Sequence, residues 1–384
     1  MGRLMLREFG LLLHRPVLLG LVVLLPVLMI ALLTGIFRAG IPTDMAVAVV
    51  DLDRSDLSRS ITRMLDAAPE VRVTHQALGL SEARALIVSG AVRGAILLPA
   101  GLEREMTRAD RPEIVTFYDN QHMSAGSLVT RGARGAIDTA LAGLRISIRE
   151  GQGEAPTQAQ TAVQPIPLQA HALFNPAFDY VHFLLAALVP TILQIIAAAG
   201  TAYAISVDFG PGREPQNLVR LAGGLLPALL GKILPYTAVF LLILGLSDLA
   251  LYGWLDVPLR GSLPLMAAGA VLFVLASQLI GAVAFVLTRN MGTAASMIAV
   301  ITAPAFGFMG LGFPREAMST VAQAWGALIP GTWYVQLRID QSLRATPVEI
   351  SVWPVLWLAL IVLGLAGLAL AQLARLRRNL EVAG

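Results

Sequence analysis

Six long apolar segments restrict this sequence to a fold that spans a membrane. The first, residues 16–37, would reach about 33 Å as an α-helix, enough to cross the hydrocarbon core of a bilayer. Charged residues make up only 14% of the chain, about half their share in soluble domains. The sequence is therefore not that of an ordinary soluble enzyme, a disordered chain or a nucleic-acid binder. The predicted spans are residues 16–37, 180–207, 233–254, 263–287, 293–313 and 353–373.

The first apolar segment has two interpretations, an uncleaved span or a secretory signal peptide. A signal peptide has a shorter apolar core, and a cleavage site of small residues follows it. Here the apolar core fills the whole segment, and Phe37 and Arg38 follow it without a small-x-small pattern. The sequence therefore favours an uncleaved span.

A polar block, residues 38–172, lies between the first two spans and carries 29 of the 53 charged residues. Within it, residues 44–150 alternate strand patterns with helical ones, which is typical of an α/β layer with largely parallel strands. Residues 151–169 lack apolar periodicity and indicate a linker. We therefore predict an α-helical membrane protein with six transmembrane helices and an α/β extracytoplasmic domain inserted between the first and second.

The distribution of basic residues predicts the orientation of the spans. Six spans place both termini on one side, and basic residues collect in short cytoplasmic segments. Ten basic residues lie on the side of the termini and four in the short segments opposite, so both termini are expected in the cytoplasm and the polar block outside. The ten are Arg3, Arg7, Arg15, Arg213, Arg220, Lys232, Arg289, Arg375, Arg377 and Arg378, and the four are Arg260, Arg315, Arg338 and Arg344.

The predicted domain organisation follows from these patterns. Residues 1–15 form a cytoplasmic interfacial helix, residues 38–172 the outer α/β domain, and residues 173–384 a five-helix transmembrane domain. Within the last, residues 314–352 form an outer loop whose apolar residues recur at helical spacing. Such a pattern is typical of a helix that lies in the membrane interface.

The sequence contains no recognisable catalytic motif. A P-loop requires Gly-x-x-x-x-Gly-Lys-Ser/Thr, but Gly231-Lys232 is followed by Ile233. There is no Cys, and the five His residues are too far apart for a metal site that sequence could reveal. The spans also lack the acid, nucleophile and metal set of a membrane enzyme. We therefore predict that the chain is not an enzyme and has no catalytic residue, metal site or cofactor of its own.

The acidic segment from Asp51 to Asp56 (DLDRSD) follows a predicted strand and has two interpretations. Its carboxylates could bind a cation, or the segment could bind a phosphate. Alternatively, it is a strand-to-helix turn in which the carboxylates and the Ser55 hydroxyl cap the next helix. The turn is favoured, because the acidic ligands of a full cation cage are missing.

The few polar side chains within the spans also have more than one interpretation. Gln194 and Gln278 lie near mid-span and could either bond helices together or line a substrate pathway. Asp248, the only acid inside a span, could simply be interfacial. Lys232, the only lysine, is expected to extend its amine to the inner membrane surface.

Five segments of the sequence, together with the order of one span, an α/β block and five spans, define a resemblance. The chain resembles the permease subunit of bacterial ATP-binding-cassette type-2 exporters, in the variety with a large periplasmic domain. The segments are VAVVDLDRSDLSRSI from Val47, VRGAILLPAGLERE from Val92, LFNPAFDY from Leu173, ALLGKILPY from Ala228, and GFPREAMSTVAQAWGALIPGTWYVQLRI from Gly312.

The resemblance implies a function and a set of partners. The chain would move amphiphilic or hydrophobic compounds outward across the inner membrane, while a separate nucleotide-binding ATPase subunit binds ATP and Mg and hydrolyses the ATP. A second permease copy, identical or closely related, and a periplasmic adaptor protein are further implied partners, with membrane lipid around the spans and no nucleic acid.

The resemblance also implies the residues that carry these roles. The N-terminal helix and the loop after the second span would contact the ATPase subunit, and the substrate would pass where spans two and five meet between permeases. The implied coupling residues are Arg3, Arg7, Asp208, Arg213 and Glu214. The implied pathway residues are Gln194, Gln278, Thr302 and Phe306.

A second class of function stays open, a non-transporting membrane sensor or mechanotransmission protein. Its outer α/β domain would bind a ligand or partner, and the spans would transmit a change of shape. The two classes differ in the helix bundle. A pathway predicts that Gln194 and Gln278 line a cavity, whereas a mechanical coupler predicts tight, dry packing.

Overall fold

The computed structural model describes residues 1–108, 113–121, 123–163, 173–176, 179–209 and 215–383. The chain divides into two compact units, Met1–Gly40 with Ala172–Gly384 and Ile41–His171. The first helices are α1 (Gly2–His14) and α2 (Pro16–Phe37). The elements that follow in the second unit are β1 (Met45–Asp51), α3 (Asp56–Ala67), β2 (Val71–Gln76), α4 (Leu80–Val88), β3 (Gly94–Leu98), α5 (Leu102–Thr107), β4 (Val115–Tyr118), α6 (Met123–Gly151) and α7 (Pro156–Val163).

The remaining elements of the first unit are helical. They are α8 (Val181–Phe209), α9 (Pro215–Ala222), α10 (Leu225–Gly253), α11 (Leu263–Thr288), α12 (Met291–Phe308), α13 (Thr320–Ala327), α14 (Pro330–Ile339) and α15 (Val348–Ala383).

The second unit is built on a small sheet with the strand order β2-β1-β3-β4. The central strand β1 pairs in parallel with β2 and β3. Because alternate side chains of a strand point to opposite faces, Val47 and Val49 join the core with α3, α5 and α6, while Ala48 and Val50 pack on the other face with α4. This burial on both faces explains the continuous apolar run in β1.

Within its described residues, the first unit contains six helices that are long and apolar enough to cross a membrane, namely α2, α8, α10, α11, α12 and the part of α15 up to Leu376. Helix α11 is central, since it packs against α8, α10, α12, α14 and α15. Helices α2, α12 and α15 leave most of their apolar surface open. Apolar surface of this extent is suited to lipid or to another membrane-embedded chain.

One close helix crossing depends on a glycine. An added Cβ at Gly281 of α11 would lie 1.9 Å from the carbonyl oxygen of Ala198 in α8. Small residues let membrane helices approach to backbone contact, where dispersion attraction and weak hydrogen bonds act in place of the hydrophobic effect. This contact therefore holds the two most buried spans together.

The sheet is largely parallel, as predicted, while the edge strand β4 pairs antiparallel with β3. Three predicted details differ from the structure. Within the predicted linker, residues Pro156–Val163 are helical, and residues 164–169 lie outside the described part of the chain. Helix α10 begins at Leu225 rather than at residue 233. Helix α12 ends at Phe308, after a break around Pro304, because proline lacks the amide donor that a helix interior requires.

Candidate functional site

Four charged side chains and one tyrosine form a buried cluster at the start of α10. Lys232 is only 5% exposed, and its Nζ donates to Oε2 of Glu8 at 2.7 Å and to Oδ2 of Asp208. One turn further along α10, Tyr236 donates its hydroxyl hydrogen to the same Glu8 oxygen at 2.9 Å. Arg7 completes the cluster through ion pairs with Asp208 and Glu8. We call these five residues the charge cluster.

The sequence of α1 explains how Glu8 reaches this buried position. Leu4, Glu8 and Leu12 recur every four residues and form the buried face of the helix. That face lies on α10, where an added Cβ at Gly231 would already touch Leu4 Cδ2 at 3.0 Å. Glu8 is therefore buried because it lies on an apolar helix face, and Lys232 and Tyr236 hydrogen-bond to it there.

The charge cluster is balanced, with two basic groups and two carboxylates. Arg7 is only partly buried, with 34% of its side chain exposed. Burial lowers the pKa of the Arg7 guanidinium, but the hydrogen bond and charge of Asp208 and the charge of Glu8 raise it more, so the net pKa is higher than usual. Removal of one partner from such a buried set leaves an uncompensated charge, which is far more costly than loss of a surface pair.

The cluster joins three parts of the chain that are far apart in sequence. Glu8 and Arg7 come from α1, Asp208 from the 3₁₀ turn that ends α8, and Lys232 and Tyr236 from α10. The cluster therefore connects α1 and the end of α8 directly to α10. This geometry suits a point where force is passed into the helix bundle.

The structure brings together only some of the predicted coupling residues. Arg7 and Asp208 form an ion pair, whereas Arg3 is exposed one turn earlier on α1. Arg213 and Glu214 lie outside the described residues.

The sequence patterns did not identify the other members of the cluster, Glu8, Lys232 and Tyr236. Lys232 is expected to extend its amine to the inner membrane surface; the structure holds that amine in a buried position between Glu8 and Asp208. The one signal in the sequence that could have identified the charge cluster was a carboxylate, Glu8, on the apolar face of α1.

The two predicted pathway glutamines are fully buried between helices of the same chain. Gln278 Oε1 accepts from Thr237 Oγ1 at 2.7 Å, and its Nε2 donates to the Ile233 carbonyl at 3.3 Å. Gln194 Oε1 accepts from the Gly331 amide at 2.7 Å, while its Nε2 has no hydrogen-bond partner among the described residues. Both side chains therefore connect helices within one chain.

The other two predicted pathway residues lie on α12. Thr302 is buried and donates its hydroxyl hydrogen to the Ile298 carbonyl at 2.7 Å, which leaves it no free donor for a ligand. Phe306 is half-buried, after the break at Pro304. Among the described residues, no hydrogen bond joins Thr302 or Phe306 to Gln194 or Gln278.

Asp248 has a buried partner that sequence analysis did not identify. Its carboxylate lies 2.6 Å from Nη1 of Arg338, which is 1% exposed and lies near the rings of Tyr252 and Tyr334. Arg338 comes from α14 in the predicted outer loop. The pair therefore ties that loop to α10, near the end of the helix opposite the charge cluster.

The acidic segment after β1 forms a hydrogen-bonded turn. Asp53 accepts hydrogen bonds from the amides of Gly101 and Glu103 at 2.8 and 3.1 Å, and Asp51 accepts from the Arg54 amide at 2.8 Å. Burial raises the pKa of Asp53, but hydrogen bonds from Ser55 and from these amides lower it more, so the net pKa is below its usual value. The geometry favours the turn over an ion site.

Comparison with known proteins places this architecture among transporters. The family model "ABC-2 family transporter protein" matches residues 16–371. The chain is 25% identical over 317 residues to "Probable multidrug ABC transporter permease YbhS" of Escherichia coli K12, covering 81% of each protein. It is also 25% identical over 345 residues to "Inner membrane transport permease YhhJ" of the same organism, covering 87% of the chain and 85% of the relative.

Proposed function

The chain belongs to the ABC-2 transporter family, and on this basis we propose that it is the membrane-spanning permease of an ATP-driven exporter. It is a multi-pass inner-membrane protein. A separate nucleotide-binding subunit would bind ATP and Mg and hydrolyse the ATP, because this sequence has no P-loop. The word "multidrug" in the name of one relative supports amphiphilic or hydrophobic compounds as the exported class.

The charge cluster is the observation that carries this proposal. An exporter without its own ATPase must receive force from its partner at one end of the helix bundle. Arg3 on the open face of α1 would contact the ATPase subunit, and the cluster would pass the resulting movement to α8 and α10. Bound nucleotide would thereby favour one of two arrangements of the spans.

The proposed arrangement in the cell follows from the charge distribution. Both termini and the charge cluster lie in the cytoplasm, and the α/β unit, Ile41–His171, lies in the periplasm. Two permease copies form the functional pair, identical or closely related, and the substrate passes between them. The α/β unit offers a docking surface for a periplasmic adaptor protein.

A reconstituted system tests this proposal. The permease is purified together with a candidate nucleotide-binding subunit from the same organism, placed in liposomes, and supplied with ATP and labelled lipophilic cations or dyes. We expect ATP-dependent movement of at least one compound and faster ATP hydrolysis in its presence. A variant ATPase without its catalytic carboxylate is the control. Absence of both transport and stimulation for every amphiphile would rule the proposal out.

One observation favours a second candidate function, a mechanotransmission protein. Gln194 and Gln278 are buried and connect helices within one chain, which is the dry packing that a coupler requires. In that case the ATPase would drive a change in the α/β unit without movement of a substrate. ATP hydrolysis that depends on the permease but on no amphiphile would favour this function.

A further inference from the structure

Within the described residues, a groove between α2 and α10 has no role in the functions considered above. It has a volume of about 390 Å³, within the range of small-molecule sites. Its walls are mostly aliphatic, and it belongs to the helical unit alone. The lining includes Val27, Ile30, Thr34, Arg38, Ser247 and Trp254.

The length of the groove matches one leaflet of a bilayer. On α2 it runs from Val27 to Arg38, and on α10 from Ile243 to Trp254, which is about 16 Å along each helix. Half of the hydrocarbon core is roughly 15 Å thick. An acyl chain that enters beside Arg38 and Trp254 would therefore reach mid-bilayer at the other end of the groove.

The polar groups of the groove lie where a lipid would need them. Arg38 and Trp254 each directly follow the last residue of their helix, and both are exposed. No carboxylate within the described residues lies at ion-pair distance from Arg38. A basic residue and a tryptophan at the same level are the side chains that favour the headgroup region. A guanidinium without such a partner in the described part of the chain calls for an anionic group such as a phosphate.

A buried hydroxyl within the groove provides an independent observation. Ser247 is 5% exposed, and its Oγ has no hydrogen-bond partner in the described part of the chain. A buried hydroxyl without a partner is costly in apolar surroundings. Ser247 lies about 10 Å along α10 from Trp254, so a ligand oxygen that reached this depth of the groove would accept its hydrogen.

We propose that this groove is a binding site for one anionic phospholipid of the surrounding bilayer. One acyl chain fills the aliphatic groove, and the phosphate binds Arg38. The site goes beyond the proposed export function, because the lipid is a resident ligand of the permease rather than its cargo.

Native mass spectrometry of the full-length chain in detergent tests the proposal. The protein is titrated with dioleoylphosphatidylglycerol or with the zwitterionic dioleoylphosphatidylcholine. We expect the anionic lipid to bind about fivefold more tightly. R38Q removes this preference, whereas R260Q retains it, because Arg260 is an exposed arginine that does not line the groove. Equal binding of both lipids, or equal loss in both variants, would overturn the proposal.

A second pair of variants tests whether the lipid occupies the groove itself. An added Cβ at Gly35 or at Gly364 meets nothing within 4 Å, but only Gly35 lines the groove. G35L fills the groove and is expected to weaken both lipids, whereas G364L leaves binding unchanged. If R38Q weakens lipid binding but G35L does not, the lipid lies on the outer surface rather than in the groove, and the proposal is overturned. The measurement needs neither ATPase nor transport, so its outcome is independent of the proposed function.

Discussion

Lys232 Nζ lies 2.7 Å from Glu8 Oε2, although 224 residues separate them in the chain. The only lysine of the protein is thereby placed inside the helical unit, with a second carboxylate, Asp208, on its other side. This relationship joins the N-terminal helix to the bundle, and it leads to predictions on stability and coupling.

Substitution of Lys232 by Met is expected to destabilise the protein strongly. The variant leaves Glu8 and Asp208 buried with only Arg7 as a counter-charge, and loss of one partner from a buried ion pair costs about 3–5 kcal/mol. Thermal unfolding in detergent measures the effect. R3Q, at an exposed position of the same helix, is the control and should unfold like the unmodified protein.

The double variant E8Q/K232M tests the origin of that loss. It leaves Asp208 opposite Arg7, so charge balance returns, and part of the lost stability should return with it. If the double variant is no more stable than K232M, the charge cluster does not act as a balanced unit.

R3E and R7Q are expected to uncouple the permease from its ATPase while the fold persists. Arg7 is partly exposed, so its loss should destabilise the fold less than the loss of the buried Lys232 amine. Both variants should reduce substrate-stimulated ATP hydrolysis severalfold, provided that α1 transmits the force. R63Q, at an exposed position of α3, should not. Full stimulation in R3E and R7Q would place the coupling surface elsewhere.

Q278L tests whether Gln278 connects helices or lines a pathway. The change removes the hydrogen bond between Thr237 and Gln278 and leaves the Thr237 hydroxyl bonded to the Ile233 carbonyl alone. We therefore expect the free energy of unfolding to fall by about 1 kcal/mol or more. T237V/Q278L, in which both partners become apolar, should recover most of it. A variant with unchanged stability but altered substrate preference would instead identify Gln278 as a pathway residue.

The turn at Asp53 predicts acid sensitivity in the α/β unit. Because hydrogen bonds lower its pKa in the folded state, the carboxylate stabilises the fold above the unfolded pKa of about 3.9. This contribution is lost as the pH falls through the folded-state pKa. Thermal unfolding between pH 6 and 3 should show a smaller pH dependence for D53N than for D56N, since Asp56 is exposed. Equal pH profiles would contradict the prediction.

G281A tests the close crossing of α8 and α11. The added methyl group would overlap the Ala198 carbonyl, so the helices must separate, at a cost of about 1–3 kcal/mol or more. G245A, at a helical position with open space around it, is the matched control. If G281A and G245A unfold at the same temperature, α8 and α11 can separate without cost.

The sequence alone determined the number of spans and the type of the polar unit. Both are local properties. The free energy of transferring a segment into lipid is nearly a sum over its residues. The periodicity of apolar residues in strands and helices involves only residues close in sequence. The same local signals predicted β1, because a strand buried on both faces is a continuous apolar run. Pattern also predicted the Ser55 cap of α3, which bonds an amide three residues on, whereas Asp53 accepts from amides about fifty residues away.

Tertiary structure decided where the polar groups of the spans go. By its transfer free energy, Lys232 belongs at a membrane surface, yet a carboxylate on the buried face of α1 reverses that preference. Asp248 becomes the partner of Arg338 in the same way, through a loop packed against the end of α10. Charge pairing falls off within a few ångströms of the two groups, so it depends on which helices meet. The hydropathy of the sequence therefore does not predict which helices pack together.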